Sequence, residues 1–501
     1  MVTRRARLTI GTISLISIIC VRAAARDVPA KVSVNWNQTT GISKTSASIQ
    51  DCPEPPLWRR SPAHDGIYKA LRDLKPDYAR LQPWFAYPVV TVAELRPPEG
   101  GKTYWNFLLM DEMTEDFINA TAGHPVDFDF GTIPEWMFKT KATVKYPQDP
   151  NQIDWDYEQG TELRDPTMKQ VADYFARLVS WYTNGGFKDE YGAWHASGHH
   201  YRIAYWEVLN EIDAEHSMSP EFYTRLYDAI VARVKQVSPK MKFVGLALAD
   251  PIDHAEYFPY FLNPKNHRRG IPIDMISYHF YSMPEADETE ETMQHTIFEQ
   301  ADKFLTAVRY IEVIRKRLSP QTGSYIDELG SMLPDPTAPK LAHPIPEWYW
   351  NLAGGMWAYV YGHLAQMGID IAGGAELIDY PGMFAATTLV NWETGQPNAR
   401  YWALKLLHDN FGPGDKIIET NLEAPQVYAQ AFITPRGERK ILLVSRRNEV
   451  IDLTIPGASG SQMERVDQST SSSPPMVSSM ATDTVRLPGL AVAVVTLPKS
   501  Q

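Results

Sequence analysis

Between residues 30 and 412 the apolar positions change period again and again, from alternation or short apolar runs to spacings of three and four. Alternation marks a strand, and the wider spacing marks an amphipathic helix. The run "KVSVNW" (31–36) alternates and predicts a first strand. "DGIYKALRDLKP" (65–76) sets Ile67, Leu71 and Leu74 on one face and predicts a helix, with Asp65 as N-cap and Pro76 as stop. The pair then recurs. "DYARLQ" precedes a helix near 107–119, "VDFDFG" one near 167–184, and "YRIAYWEVLN" (201–210) the helix of "SPEFYTRLYDAIVARVKQV", which opens on Ser219-Pro220. "KFVGLAL" precedes a helix near 254–262, "IDMISYHF" a long one within 288–318, "GSYIDEL" that of "PEWYWNLAGGMWAYVYGHLAQMG", and "IDIAGGA" that of "ARYWALKLLHDNFG".

Eight strand–helix units predict an α/β fold of the closed (β/α)₈ TIM-barrel type over residues 26–412; open doubly wound sheets more often have fewer strands. The long excursions 85–106 and 131–166 follow strands two and three, on the face where barrel active sites are built. From about 413 the helical period stops. "QVYAQAFIT", "KILLVSRR", "VIDLTI" and "GLAVAVVTL", separated by Pro, Gly and Ser, predict a small all-β sandwich over 413–501, and "DQSTSSSPPMVSS" (467–479) reads as a mobile loop within it.

The first residues change the picture of where the chain works. Arg4, Arg5 and Arg7 precede the apolar run "LTIGTISLISIIC" and then Ala23–Ala25, the order of a secretory signal peptide over residues 1–25. That run is too short for a membrane span. Cleavage there removes four arginines and no acid, so the mature chain is more acidic than the formal −12 of the whole sequence. Such a charge disfavours nucleic acid and anionic membranes as partners. Cys20 lies in the signal, and Cys52, alone after it, cannot close an internal disulfide. Asn37-Gln-Thr39 and Asn119-Ala-Thr121 fit the N-glycosylation pattern; Asn37, placed after the first strand beside the cleft, is expected to stay unmodified.

Candidate chemistry gathers at strand ends. Asn210-Glu211 ends strand four, and Glu328 ends strand seven in "GSYIDELG". Two carboxyl groups at those ends face each other across a barrel mouth, where one protonates a leaving oxygen and the other attacks a sugar carbon. Asn210 is placed to bind the sugar 2-hydroxyl. Arg80, ending strand two, is a cation that holds the attacking carboxylate ionised, and His279 and Tyr281, ending strand six, are its candidate hydrogen-bond partners. Trp36, Trp136 and Trp392 follow strands one, three and eight and are candidate sugar platforms. Asp327 adjoins Glu328 but alternates to the other side of the strand. Glu376 and Asp379 read as solvated loop acids. His195, His199 and His200 have a suggestive spacing, but "ASGHH" is not helical, so no metal is expected. With no phosphate-binding glycine loop, nucleophile elbow or nucleotide motif, no cofactor is implied.

Through "WEVLNEID" and "YIDELG", and through the eight-unit order with its trailing β domain, the chain resembles the clan A glycoside hydrolases. The separation of Glu211 and Glu328, and "NE" followed by "PEFYTRLYDA", resemble glycoside hydrolase family 39, the β-xylosidase and α-L-iduronidase group. The resemblance implies a secreted retaining hydrolase of O-glycosides in which Glu211 is the acid/base and Glu328 the nucleophile. One departure is that the clan usually carries a tryptophan at the end of strand eight, where "IAGGAELIDYPG" has none. The rival readings are a carbohydrate-binding barrel without turnover, a transglycosidase, and a structural wall or matrix protein.

Overall fold

The computed structural model describes residues 29–159 and 161–498; the signal-like segment lies outside them. Eight parallel strands close into a barrel in the order Ser46–Asp51, Tyr78–Leu81, Val126–Asp129, Ile203–Glu207, Lys242–Leu248, Met275–Tyr278, Gly323–Ile326 and Ile371–Gly374, with the last pairing the first. Helices follow where the apolar period predicts them. His64–Leu74 buries Ile67, Leu71 and Leu74, and Lys75 ends it in the left-handed region. Asp65 lies in its first turn, and Ala63 holds the N-cap place assigned to it. Pro220–Val237 starts on Ser219, whose hydroxyl accepts from the Phe222 backbone N–H at 3.2 Å. Among the described residues no helix is long and apolar enough to cross a membrane.

The first strand is the main correction. Residues 31–36 do form a strand, but Ala30–Ile42 pairs antiparallel with Lys416–Leu422 and parallel with Ile451–Thr454, in the β domain. Alternation is the mark of a strand with one wet face, as in an antiparallel sheet; barrel strands are covered on both sides. The true first barrel strand, "SASIQD", is buried at every position and polar at four of six, so hydrophobic patterning does not reveal it. The barrel thus begins at Ser46, and the β domain takes its strands from both ends of the chain.

That domain is a nine-stranded sheet whose two wings share one apolar core of Val32, Ile418, Ile441, Leu443, Leu453, Val485 and Val495. The segment read as a mobile loop is built into it. Met476–Ser479 pairs with Gln462–Val466, and the preceding turn takes a hydrogen bond from barrel residue Trp402, Nε1 to the Ser472 carbonyl at 2.8 Å.

Asn37 lies exposed on the β-domain strand and not beside the barrel mouth, so the steric reason for expecting it to be unmodified is removed.

Candidate active site

The fourth barrel strand stops at Glu207, and the chain then bends through residues that rarely bend. Leu209 (φ 64°) and Glu211 (φ 41°) both stand in the left-handed region, where a residue with a Cβ is strained by about 1–3 kcal/mol. The bend is held by the Glu211 backbone N–H donating to Ala247 O at 2.9 Å. It is also held by Asp213, whose carboxylate accepts from the N–H groups of Ala249 and Asp250. Gly131 allows the neighbouring loop to close on it, since a Cβ there would lie 2.8 Å from the Asn210 Cβ. Asn210 and Glu211 are thereby swung over the mouth.

Glu328 follows the seventh strand. Beyond the barrel proper, Phe280–Ser282 pairs in parallel with Leu329–Ser331, setting Tyr281 opposite Gly330. This short extension carries Tyr281 Oη to within 2.8 Å of Glu328 Oε2, to which it donates. Arg80, wholly buried at the end of the second strand, donates from Nη1 to Glu328 Oε1 at 2.8 Å. Arg80 also donates to Glu207 (2.6 Å), to Asp129 (2.7 Å) and to the amide oxygens of Asn210 (2.9 Å), Gln82 (3.0 Å) and Gln50. Burial works against its charge, but Glu207, Asp327, Asp129 and Glu328 outweigh it and hold Arg80 firmly cationic. Burial first, then neighbouring carboxylates, push Asp127 up to about 8 and Asp129 up to about 7, against the pull of Arg80.

His279 links the two candidate carboxyls. Its Nδ1 lies 3.0 Å from Glu211 Oε1 and 3.3 Å from Glu328 Oε2, and its Nε2 faces Asp327 Oδ2 at 3.2 Å. Burial opposes a charge on the ring, yet Glu328, Asp327 and Glu211 raise its pKa well above the ordinary value. Asp327 is the buried counter-ion beneath the site: alternation assigns it to the far side of the strand, but it shares Arg80 and His279 with Glu328, and only Glu328 of the two lines the pocket. The Glu211 carboxyl is pushed up by burial, a shift opposed by His279 and reinforced by Glu328. One ligand atom each from Glu211, His279 and Glu328 lie within 4.8 Å of one another, a spacing that also suits a metal ion. A ring with carboxylates on both nitrogens is best satisfied as a double donor, which leaves no lone pair for a metal.

These groups open on a pocket of about 230 Å³. Of the sequence-predicted residues, Asn210, Glu211, Glu328 and Tyr281 line it, with Arg80 and His279 directly beneath. The three predicted tryptophans do not. Trp36 sits in the β domain under the Arg439 guanidinium, 5.2 Å from the ring centroid. Trp136 is buried with its indole N–H on the Glu94 carbonyl and borders a separate groove. Trp392 packs against the barrel core. The aromatic wall is instead Trp84 and Phe384, 5.9 Å apart between ring centroids, with Trp155 packed edge-on against Trp84 at 5.5 Å outside the lining. Glu376 and Asp379, read as solvated, are 5% and 3% exposed and line the pocket. Glu376 accepts from the Cys52 N–H (2.8 Å) and from Gln50 Nε2 (2.9 Å), so the polar first strand is itself part of the wall. The histidines at 195 and 199 each face their own carboxylate, Asp189 and Asp111.

The folds of known enzymes agree with this architecture. A GH51 arabinofuranosidase from Xanthomonas axonopodis pv. citri superposes with a TM-score of 0.63 at 12% identity, over 94% of this chain and all of that one. A glucosidase from Croceicoccus marinus gives 0.61 at 15%, over 95% and 100%. An α-L-arabinofuranosidase from Thermotoga maritima gives 0.57 at 15%, over 93% and 99%. No curated protein sequence matches the chain. The profile of glycosyl hydrolases family 39 matches residues 19–346, well over half of the sequence and both candidate carboxyls, and the chain belongs to that family.

Proposed function

We propose that this glycoside hydrolase is exported through an N-terminal signal and cleaves O-glycosides with retention of configuration, with Glu328 as nucleophile and Glu211 as acid/base. The observation that carries the reading is the facing pair at the ends of strands four and seven, whose nearest atoms lie within 4.8 Å with His279 between them. Double displacement calls for carboxyls about 5–5.5 Å apart, and inversion for about 6.5–9.5 Å. Arg80 and Tyr281 each give a hydrogen bond to Glu328, one on each carboxylate oxygen, and so hold it in place for attack. Glu211, raised by burial and by the charge on Glu328, keeps a proton for the leaving oxygen; when the glycosyl-enzyme removes that charge, Glu211 becomes the stronger acid and its carboxylate serves as base toward water.

The sugar in this pocket is one without a carboxylate. The wall carries Glu211, Glu328, Glu376 and Asp379 and, among the described residues, no Lys or Arg. Arg80 lies beneath it, committed to the carboxylates and amides named above. A panel of aryl glycosides tests both points. Neutral glycosides such as the β-xyloside are expected to be hydrolysed, with the first-formed product, followed by proton NMR, retaining its anomeric configuration. Hydrolysis of an α-L-iduronide in preference to every neutral sugar overturns the charge argument, and a first-formed product of opposite configuration overturns the mechanism. Secreted material is expected to begin near Arg26, as read by N-terminal sequencing.

A further inference from the structure

Glu215 stands four residues beyond Glu211, on a single turn closed by its own N–H donating to Glu211 O at 2.8 Å. Its carboxylate accepts hydrogen bonds from three side chains on three different segments. Trp84 Nε1 arrives from beyond the second barrel strand, Gln159 Nε2 (3.2 Å) from the loop after the third, and Asn210 Nδ2 (2.7 Å) from the end of the fourth. Trp84 and Asn210 line the pocket; Glu215 does not. We propose that Glu215 is a positioning residue, which orients Asn210 and the Trp84 ring and so sets how the enzyme recognises the hydroxyl beside the reacting carbon. The inference rests on the glycosidase reading above.

The argument turns on the Asn210 amide. Its oxygen accepts from Arg80 Nη2 at 2.9 Å, and guanidinium only donates. Its nitrogen faces a carboxylate. A guanidinium that only donates on the oxygen side and an accepting carboxyl oxygen on the nitrogen side leave one orientation for the amide, with one Nδ2 hydrogen unclaimed and available to the sugar. Remove the carboxylate at 215 and the Arg80 contact alone remains, so the side chain gains freedom at the point where a hydroxyl contact must strengthen in the transition state. The same carboxylate oxygen, Oε1, holds Trp84 and Asn210, so the aromatic wall and the hydroxyl donor are fixed relative to each other.

The test compares kcat/KM on an aryl glycoside and on its 2-deoxy counterpart. Asn210→Ala defines the loss of preference for the 2-hydroxyl when the donor is absent. Glu215→Ala is expected to lose most of that preference too, with kcat/KM on the hydroxylated substrate falling by about 10²-fold. The double mutant is expected to be little worse than Asn210→Ala alone, because residues acting through one another are not additive. Glu215→Gln keeps an oxygen that can serve Trp84 and Asn210 and should restore most of the preference. Should the alanine variant not fold, Glu215→Asp, too short to reach all three donors, reads the same ratio. Equal losses on the two substrates, or effects of Glu215→Ala and Asn210→Ala that multiply, overturn the inference. If the wild type shows no Glu328-dependent hydrolysis of any glycoside, it is the glycosidase reading that falls, a distinct result.

Discussion

In the β domain the positions buried between the two wings are Val32, Ile418, Ile441, Leu443 and Leu453. Equally buried positions at the barrel mouth are Arg80, Asp129, Glu207, His279 and Asp327. Both regions exclude water, but by different means. The β domain is filled with side chains that need no partner, and its stability follows from area removed from water. The mouth is filled with groups that are costly to bury, and each is tolerated because another is in place. A change in the first region should therefore be paid in stability alone, and a change in the second in chemistry first.

The largest expected effect is at Glu328. Glu328→Ala should lower kcat by roughly 10⁴-fold or more on every substrate, since no covalent intermediate can form. Azide added to this variant should restore turnover and give a glycosyl azide of inverted configuration. Next comes Glu211→Ala, whose loss should depend on the leaving group. An activated dinitrophenyl glycoside needs no proton and should suffer little in the first step, whereas a poor leaving group should lose about 10²–10⁴-fold, the usual worth of a general acid. Azide here should yield the retained product. If the two variants exchange these signatures, the roles of the two glutamates are exchanged, and the comparison survives with its labels reversed. The third test is its counterweight. Leu443→Ala in the β-domain core should cost about 2–5 kcal/mol in denaturant unfolding and leave kcat on the same substrate unchanged. A loss of kcat at a temperature where that variant is folded would mean that the two regions are coupled.

The same contrast governs what was legible in the sequence. The β-domain strands declare themselves by alternation, as in 31–36, or by apolar runs, as in Arg439–Ser445 and Val492–Thr496, but the pattern of 31–36 does not say which sheet it joins. Seven barrel strands were legible from apolar runs, but Ser46–Asp51 was not, because Gln50 and its neighbours serve the site rather than a core. Glu211 and Glu328 were found because strand ends have a known place in a barrel. Burial of Glu376 and Asp379 was not legible, since a carboxylate in a Gly- and Pro-rich segment reads as solvated until the fold closes over it. The tryptophans show the limit in another way: Trp36 ends a predicted strand, Trp136 and Trp392 come after others as Trp84 does, and the packing of distant loops selects Trp84. Glu215, at a four-residue spacing from Glu211, carried a positional signal, but nothing in one sequence says that Trp84 and Gln159 arrive at it.

The smallest expected effect separates the regions by pH. Asp379, at the pocket wall, is pushed up to about 7, by burial first and against hydrogen bonds from Thr387 and the Phe384 N–H. Its ordinary value is about 3.9. Below that the carboxyl is protonated in folded and unfolded chains alike, and its contribution to stability is fully present. Between about 4 and 7 the unfolded chain ionises while the folded one keeps its proton, so that contribution drains away as pH rises through the window. Asp51, Glu54 and Glu376, raised by burial beside it, act with the same sign. In the β domain Asp483 behaves oppositely. Its carboxylate accepts from the N–H groups of Gly457 and Ser459, which lower its pKa, so its contribution is present above the ordinary value and is lost as pH falls. Asp379→Asn should therefore flatten the decline of the urea midpoint between pH 4.5 and 7, and Asp483→Asn should flatten only the decline below pH 4. Parallel curves for wild type and Asp379→Asn across the upper window would mean that this carboxyl ionises as freely in the folded pocket as in water, and that the mouth does not hold its acids in the way its burial requires.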